Sequence, residues 1–334
     1  MSIVKYMLDK RRRKSPFLAE TAENFSLPGN ADDSQNNSYY FSGHTPDGSS
    51  LLFRFARRGQ NKTEIWFAFK DREGNAYINS NQLFEGDVPA GVKCLAASSE
   101  WEFHWAGELT DIISQMQVAA RFTGRFRASG GIFEFGHDVC SSILARTIAR
   151  QKWSKTFFKE LKENDQVHYE QPGKIEGVLL IGQRDLALSY PAMRDHSFGK
   201  RDWQYMNRHV WIMALLEDGS SLNISWVSYP VLNNMQTGYY ISNDKTICVE
   251  SAEILADIVP NSVPPSFTCR ARLQDGRTIE LDCRREMEFA FPMGNGEYVI
   301  HEGIGAFDLN GLKGRGVLEF GWNSDAARYL TGGS

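Results

Sequence analysis

The sequence predicts an all-β protein made of two small, closed antiparallel barrels joined by one helix. Three observations lead to this fold class. Two related segments begin strands, "DGSSLLFRF" at 47–55 and "DGSSLNISW" at 218–226. A second related pair, "GIFEFG" at 131–136 and "GVLEFG" at 316–321, lies further along each half. Between the halves, one stretch has helical rather than strand periodicity.

The repeated segments are typical of hairpins that enter half-buried strands. In both copies an Asp-Gly turn is followed by alternating apolar and polar residues. Many short strands of this kind indicate barrels or sandwiches, and two repeats of similar size favour two small closed barrels. A small barrel can enclose one apolar ligand. Further strands are predicted at 63–71, 101–109, 174–182, 266–283 and 296–307.

The segment 138–165 predicts the connecting helix. Leu144 and Ile148, and then Phe157 and Leu161, recur four residues apart, with neither Gly nor Pro between them. We therefore predict a first barrel at 1–137, a helix at 138–165 and a second barrel at 166–334.

Composition and charge exclude several classes of protein. Hydrophobic residues make up 42% of the 334 residues, which is enough for packed cores and argues against a disordered chain. The net charge of -4 makes nucleic acid an unexpected partner. The basic run 11–14 leaves a weak contact with anionic lipid open. No apolar stretch reaches the length of about 20 residues that spans a membrane.

Several expected absences follow from the motifs that the chain lacks. Five cysteines without a CxxC pair, and an N-terminus without a secretory apolar run, predict reduced thiols and a cytoplasmic location. HxH, HExxH, GxGxxG and P-loop motifs are absent from the sequence, so we expect neither a metal nor a nucleotide cofactor. The absence of a GxSxG elbow argues against a hydrolase.

The segment "RDHSFGKRDW" at 194–203 concentrates polar groups that could carry chemistry. A carboxylate next to an imidazole orients the ring and tunes its proton affinity, so Asp195 and His196 form the predicted proton-transfer pair, with Arg194 orienting them. The alternative is a structural clamp in which Arg and Asp side chains pair with each other. The first copy has no equivalent segment, which assigns the chemistry to the second barrel or to the seam between the barrels.

This segment and its surroundings resemble a known family. "HYEQ" at 168–171, the strand that follows, "RDHSFGKRDW", and the ending "EGIGAFDLNGLKGRGVLEFGW" are similar to the tandem lipocalin-like proteins of carotenoid 1,2-hydratase (hydroxyneurosporene synthase) type. The resemblance covers residues 166–322 and is greatest to a branch that writes "RDHSWG" where this chain has Phe198. It implies lipocalin-like barrels that hold a long apolar substrate.

Two functions follow from the resemblance and the polar segment together. The first is a cofactor-independent enzyme that hydrates, isomerises or cyclises an apolar polyene, isoprenoid or polyketide chain by positioned proton transfer. The second is a carrier of such a molecule that performs no chemistry. The predicted substrate-binding side chains are large aromatics and one histidine: Phe198, Trp203, Tyr205, Trp211, Trp226, Tyr229 and His301.

One feature favours the carrier. The resemblance implies a His-x-Trp element, matched by residues 196–198, that works with a Tyr-x-Asp about thirty residues later. The chain has Asn223, Ile224 and Ser225 near that position. Hydration by an acid at that point of the chain is therefore not expected.

Overall fold

The computed structural model describes residues 2–14, 17–163, 166–243 and 245–330. Most of these residues lie in strands. The helices are α1 (Ser2–Lys14), α2 (Ala19–Glu23), α3 (Ser141–Ala149), α4 (Lys155–Glu163) and α5 (Ala327–Leu330). Of the helices described, none combines the length and the apolar character that crossing a membrane requires. The backbone of the basic run 11–14 belongs to α1, but its side chains lie outside the described residues, so the contact with lipid stays a prediction.

The first barrel closes around eight antiparallel strands in the order β11-β1-β2-β3-β4-β7-β8-β10, with β10 pairing back onto β11. Three short strands, β5, β6 and β9, extend it. The strands are β1 (Gln35–His44), β2 (Ser50–Arg58), β3 (Lys62–Lys70), β4 (Ala76–Asn79), β5 (Leu83–Glu85), β6 (Ala90–Ala96), β7 (Glu100–Asp111), β8 (Gln117–Ala128), β9 (Phe133–Glu134), β10 (Val167–Ile181) and β11 (Arg184–Lys200).

The second barrel is a continuous meander in which each strand pairs with the next and the last pairs with the first. Its strands are β12 (Arg208–Leu216), β13 (Ser221–Tyr229), β14 (Leu232–Ser242), β15 (Lys245–Leu255), β16 (Ser266–Leu273), β17 (Thr278–Met293), β18 (Tyr298–Leu309) and β19 (Leu312–Asn323). Two closed eight-stranded antiparallel barrels confirm the predicted fold class.

The predicted boundary between the barrels is wrong. The compact unit of the first barrel contains residues 18–133 and 166–201, and the other unit contains 1–17, 134–165 and 202–334. The hairpin β10–β11 closes the first barrel because β10 pairs with β8 and β11 pairs with β1. The "EFG" likeness misplaced the boundary: at 131–136 it marks only the two-residue strand β9, whereas at 316–321 it lies in the closing strand β19.

The predicted single helix at 138–165 is two short helices, α3 and α4, interrupted at residues 150–154. Trp153 donates its Nε1–H to the carbonyl of Ile148 at 2.8 Å, which satisfies the end of α3. Ser154 then accepts the amide N–H of Phe157 at 2.9 Å, as an N-cap does, and starts α4. Both helices belong to the unit of the second barrel and precede the hairpin that closes the first.

Aromatic side chains fill the interior of the first barrel. Phe41 stacks on Phe103 with ring centroids 4.3 Å apart, and Phe67 stacks on Trp105 at 4.5 Å. These four residues are at most 2% exposed. Each such ring contributes roughly 1.5–3 kcal/mol by burial. Polar side chains that face this interior therefore do so within an apolar environment.

Candidate functional site

The polar side chains of the hairpin β10–β11, which closes the first barrel, point to two different sides of the sheet. Successive residues of a strand point to opposite sides, and residues directly opposite on neighbouring strands share a side. Tyr169 pairs with His196 across β10 and β11, and Gln171 pairs with Arg194. On each strand these residues are an even number of positions from an interior residue, Ile175 on β10 and Ala192 on β11. Tyr169, Arg194 and His196 therefore point into the barrel.

Glu23, at the end of α2, joins these inward side chains into one cluster. Its Oε1 accepts hydrogen bonds from Tyr169 Oη and from Arg194 Nη2, both at 2.6 Å. Its Oε2 accepts the indole N–H of Trp101 at 3.0 Å. The Glu23 side chain is only 2% exposed. The carboxylate that the sequence pattern assigned to Asp195 is thus supplied by a residue far away in the chain.

Arg194 is held between a carboxylate and an aromatic face. Its guanidinium carbon lies 3.7 Å from the ring centroid of Trp101, and its side chain is fully buried. A desolvated contact of this kind contributes up to about 2 kcal/mol. Two of its nitrogens, Nε and Nη1, are buried without a hydrogen-bond partner among the described residues. The ion pair with Glu23 is therefore the main compensation for burying this charge.

His196 is also fully buried and has a partner at each ring nitrogen. Nδ1 lies 2.6 Å from the hydroxyl of Tyr169, and Nε2 lies 2.8 Å from Oδ1 of Asn37. The amide nitrogen of Asn37 donates to the carbonyl of Phe25 at 3.1 Å, which turns Oδ1 toward the imidazole. Tyr39 stacks on the ring with centroids 4.0 Å apart.

These contacts leave one proton with two acceptors. Asn37 Oδ1 can only accept, so Nε2 must carry hydrogen, and a neutral ring then has its lone pair at Nδ1. The single hydroxyl proton of Tyr169 faces both Nδ1 and the Glu23 carboxylate, each at 2.6 Å. A second proton on the imidazole satisfies every contact, because Nδ1–H then donates to Tyr169 and Tyr169 donates to Glu23. The cluster can hold and release a proton.

Burial and charge set the proton affinities of the cluster. Burial acts to raise the pKa of Glu23, but His196, whose Nδ1 lies 3.7 Å from Oε2, together with Arg194 and Tyr169, lowers it from 4.5 to about 2. Burial lowers the pKa of His196, and the nearby Glu23 opposes that shift only in part. Burial raises the pKa of Tyr169. Glu23 is therefore ionised at neutral pH, and an imidazolium at His196 releases its proton readily.

The structure does not bring Asp195 and His196 together, so the predicted pairing of their side chains is wrong. They are consecutive on β11 and face opposite sides of the strand. Asp195 contacts His168 Nε2, and Glu170 Oε1 lies 3.6 Å from the same nitrogen. Burial acts to lower the pKa of His168, but Asp195 and Glu170 outweigh it and raise the pKa.

The outward cluster of His168, Glu170 and Asp195 is the one group among the described residues with the spacing of metal ligands. One potential ligand atom from each residue lies within 4.8 Å of the others. A protonated His168 offsets one of the two negative charges of Glu170 and Asp195.

The predicted substrate-binding residues divide between the two units. Phe198 lies in the first barrel, where it stacks on Phe25 with centroids 4.2 Å apart and packs against His196 at 5.2 Å. From Trp203 onward the predicted residues belong to the unit of the second barrel. The prediction that the second barrel carries the "RDHSFG" motif is therefore wrong.

Within the second unit, the predicted aromatics lie in different places. Trp226 is in the interior core, whereas Trp211 alternates with the interior residues Val210 and Ile212 on β12. The remaining three make contacts with other aromatic or acidic side chains: Trp203 packs on Tyr298 at 5.4 Å, and Tyr205 stacks on Tyr229 at 5.9 Å while donating to Glu160 at 2.7 Å.

His301 faces the interior of the second barrel. It pairs across the strands with Phe320, an interior core residue. Its neighbour Glu302 faces the other side, so the two do not act as a pair. Instead, His301 Nδ1 lies 2.7 Å from Oε1 of Glu288.

Sequence reasoning missed the residues that complete the inward cluster. Glu23 and Asn37 lie outside every predicted strand, and Trp101 begins the strand predicted at 101–109 without a functional role. The sequence carries no signal for Glu23. Once β10 and β11 are known to pair, "HYEQ" and "RDH" place Tyr169 opposite His196.

Residues 21–324 match DUF7064, a domain of unknown function. The chain belongs to this family. No match was found among curated proteins.

Solved structures resemble this DUF7064 chain over nearly its whole length. An AttH-like protein from Nitrosomonas europaea is 15% identical, with a TM-score of 0.57, covering 92% of this chain and 98% of that one. CghA is 11% identical, with a TM-score of 0.53 and coverage of 90% and 94%. Kievitone hydratase from Nectria haematococca is 11% identical, with a TM-score of 0.52 and coverage of 93% and 96%. At these identities the likeness shows a shared fold.

Proposed function

We propose that this DUF7064 protein is a cofactor-independent enzyme that moves a proton on an apolar substrate, in a hydration, isomerisation or cyclisation. The observation that carries the proposal is the position of the Tyr169 hydroxyl, which lies 2.6 Å from both His196 Nδ1 and Glu23 Oε1 inside an aromatic barrel. One relative of the same fold is named a hydratase, which supports this class of reaction. A polyene, isoprenoid or polyketide chain suits the apolar interior.

In this mechanism His196 is the residue that exchanges a proton with the substrate. The substrate takes the place of the Asn37 carboxamide at Nε2, and the imidazolium transfers its Nε2 proton to a carbon or oxygen of the substrate. The ring is left neutral with Nδ1–H donating to Tyr169 and Tyr169 donating to Glu23, so these hydrogen bonds persist. Nε2 then takes a proton from an attacking water, or from another carbon of the substrate, and the imidazolium is restored.

The other members of the cluster tune this exchange. Arg194 keeps Glu23 ionised, and the carboxylate stabilises the imidazolium through Tyr169. Trp101 and Tyr39 fix the positions of the guanidinium and the imidazole by stacking. Asp195 has no part in the relay, because it lies on the other face of β11.

The proposal is tested with protein purified from its own source. The co-purifying lipids are identified by native mass spectrometry, extracted, and incubated with fresh protein in deuterated water. Hydration adds one molecule of D2O to a lipid, and isomerisation or proton exchange adds deuterium. Both changes should disappear with His196→Gln and persist with Arg127→Gln, a surface change in the same barrel. A bound lipid whose mass never changes would contradict the enzyme.

That outcome would support the second candidate, a carrier of an apolar molecule. One observation favours it: His196 is fully buried, and both of its ring nitrogens are satisfied by protein groups. A carrier should retain the same lipid in the wild type and in every variant that stays folded. A cytoplasmic location is part of either proposal and is supported by five free thiols.

A further inference from the structure

The second barrel contains a histidine whose surroundings differ from those of His196. His301 lies on β18, opposite Phe320 on β19, and is 9% exposed. Phe320 packs edge-on against Phe267 with centroids 5.9 Å apart, so both rings belong to the interior that His301 faces. Each barrel thus has a buried histidine on its closing hairpin that faces the interior.

Glu288 fixes the orientation of this histidine. It lies on β17, two positions from the cross-strand partner of His301, and its Oε1 is 2.7 Å from Nδ1. Oε2 accepts the backbone N–H of Val263 at 3.2 Å and also contacts Arg285. Burial acts to raise the pKa of Glu288, but these partners, His301 first, lower it. The carboxylate is therefore ionised and can only accept hydrogen bonds.

The tautomer of His301 follows from this contact. Nδ1 must carry hydrogen to donate to Glu288, so in the neutral ring Nε2 holds the lone pair. Among the described residues Nε2 is buried without a hydrogen-bond partner. Buried polar atoms are nearly always satisfied in native proteins, so this unpartnered acceptor is a point at which a ligand group can bind. Because the atom accepts, the ligand group that it suits is a donor.

A loop between β15 and β16, residues 256–265, covers this part of the interior. Ile258 and Val263 in the loop pack on the interior core. Val263 lies beside Gly303, which is two residues from His301 on the same face of β18: a Cβ at Gly303 would be 3.3 Å from Val263 Cγ1. The N–H of Val263 donates to Glu288. The carboxylate that orients His301 therefore also binds the loop that covers this part of the interior.

We propose that the second barrel binds an apolar molecule bearing a hydroxyl group, and that this hydroxyl donates to Nε2 of His301. The apolar part of the ligand lies against Phe320, Phe267 and Trp226, and the loop at 256–265 moves to admit it. Glu288 acts as a positioning residue that keeps the lone pair of His301 turned inward. This site is separate from the proton-transfer cluster of the first barrel and does not depend on the reaction proposed there.

Two probes of equal shape test the site: 2-naphthol, which has a donor hydroxyl, and 2-methylnaphthalene, which does not. Binding of both is measured by fluorescence titration. Replacing His301 by Phe should lower the affinity for 2-naphthol about tenfold relative to 2-methylnaphthalene, the scale of one hydrogen bond. The matched control is Tyr190→Phe, which removes a hydroxyl from the interior of the first barrel and should leave the ratio unchanged. An unchanged ratio in His301→Phe, or a lost one in Tyr190→Phe, overturns the proposal.

A second measurement uses the unaltered protein in case the variant does not fold. Long-range 1H–15N NMR of histidine-labelled protein, recorded at a pH where the imidazole is neutral, should show Nε2 of His301 as the unprotonated nitrogen. 2-Naphthol should shift that resonance, and 2-methylnaphthalene should not. An unprotonated Nδ1, or equal responses to the two probes, overturns the proposal. Failure here leaves the deuterium test of His196 unaffected, so the two proposals fail separately.

Discussion

Replacing Glu23 by Gln tests the inward cluster most directly. The substitution keeps the shape of the side chain and removes its charge. Arg194, which is fully buried and has two nitrogens without partners among the described residues, would lose its counter-ion. In the wild type one carboxylate oxygen accepts from Tyr169 and the other from Trp101, whereas the amide has only one accepting atom for these two donors. We expect a large loss of stability confined to the first barrel.

Two independent estimates give the size of this loss. A pKa lowered from 4.5 in the unfolded chain to about 2 in the folded protein corresponds to about 3 kcal/mol of stability at neutral pH. Breaking a buried ion pair by removing one partner costs about 3–5 kcal/mol. Both estimates exceed by several-fold the roughly 0–1 kcal/mol of an exposed pair. Glu100→Gln is the matched control, because Glu100 pairs with Arg127 at 3.0 Å on the exposed surface of the same barrel.

The assay must report on one barrel, because the chain has two compact units. Hydrogen exchange of peptides from β11, measured by mass spectrometry in increasing urea, gives the free energy of unfolding of the first barrel. The folded-state pKa of Glu23 is depressed, so its contribution is present above pH 4.5 and is lost as the pH falls toward 2. The difference between wild type and Glu23→Gln should therefore fall to less than half by about pH 3. A loss below about 1 kcal/mol at pH 7, or a loss that does not change with pH, would refute the reasoning.

Three further predictions follow from the same contacts. Tyr169→Phe removes the relay hydroxyl but keeps the ring, so turnover of the co-purifying lipid should fall roughly a hundredfold with the lipid still bound; unchanged turnover would remove Tyr169 from the mechanism. Asp195→Asn should leave turnover near the wild-type value, and a hundredfold loss of turnover would show that Asp195 takes part in the reaction. The same change should destabilise the protein most below pH 6.5, and the effect should fade as the pH rises through the raised pKa of His168. Chemical denaturation at several pH values measures this. Burial raises the pKa of the Cys94 thiol to about 11, so the rate of its alkylation by iodoacetamide should rise with pH up to that value. Peptide mapping measures the rate, and a plateau below pH 9 would contradict the raised pKa.

The alternation of residues predicted the strands because it is a local property. The Asp-Gly turns at 47–48 and 218–219 precede β2 and β13, and each of these strands forms a hairpin with the strand before it. Turn chemistry and period-two patterning act over a few residues, so they can be identified from one sequence. The same local rule already implied that Asp195 and His196 face opposite sides of β11, and the predicted pairing of the two overlooked it.

The helical segment shows a second limit of local patterns. Leu144 and Ile148 predicted α3 correctly, and Phe157 and Leu161 predicted α4, but periodicity did not reveal the break between them. That break depends on Trp153 and Ser154, whose side chains satisfy the backbone of the two helix ends. Nor could periodicity show that the hairpin after the helices returns to the first barrel.

The sequence by itself determined the fold class and the presence of two barrels. Only the tertiary structure decided which barrel the "HYEQ" and "RDHSFG" strands close and which carboxylate Arg194 meets. Glu23 and Arg194 are 171 residues apart, and their contact depends on α2 and β11 being brought to the same end of one barrel. A contact over that distance depends on the pairing of β11 with β1 and β10, because each strand carries its own alternation but not the identity of its neighbours.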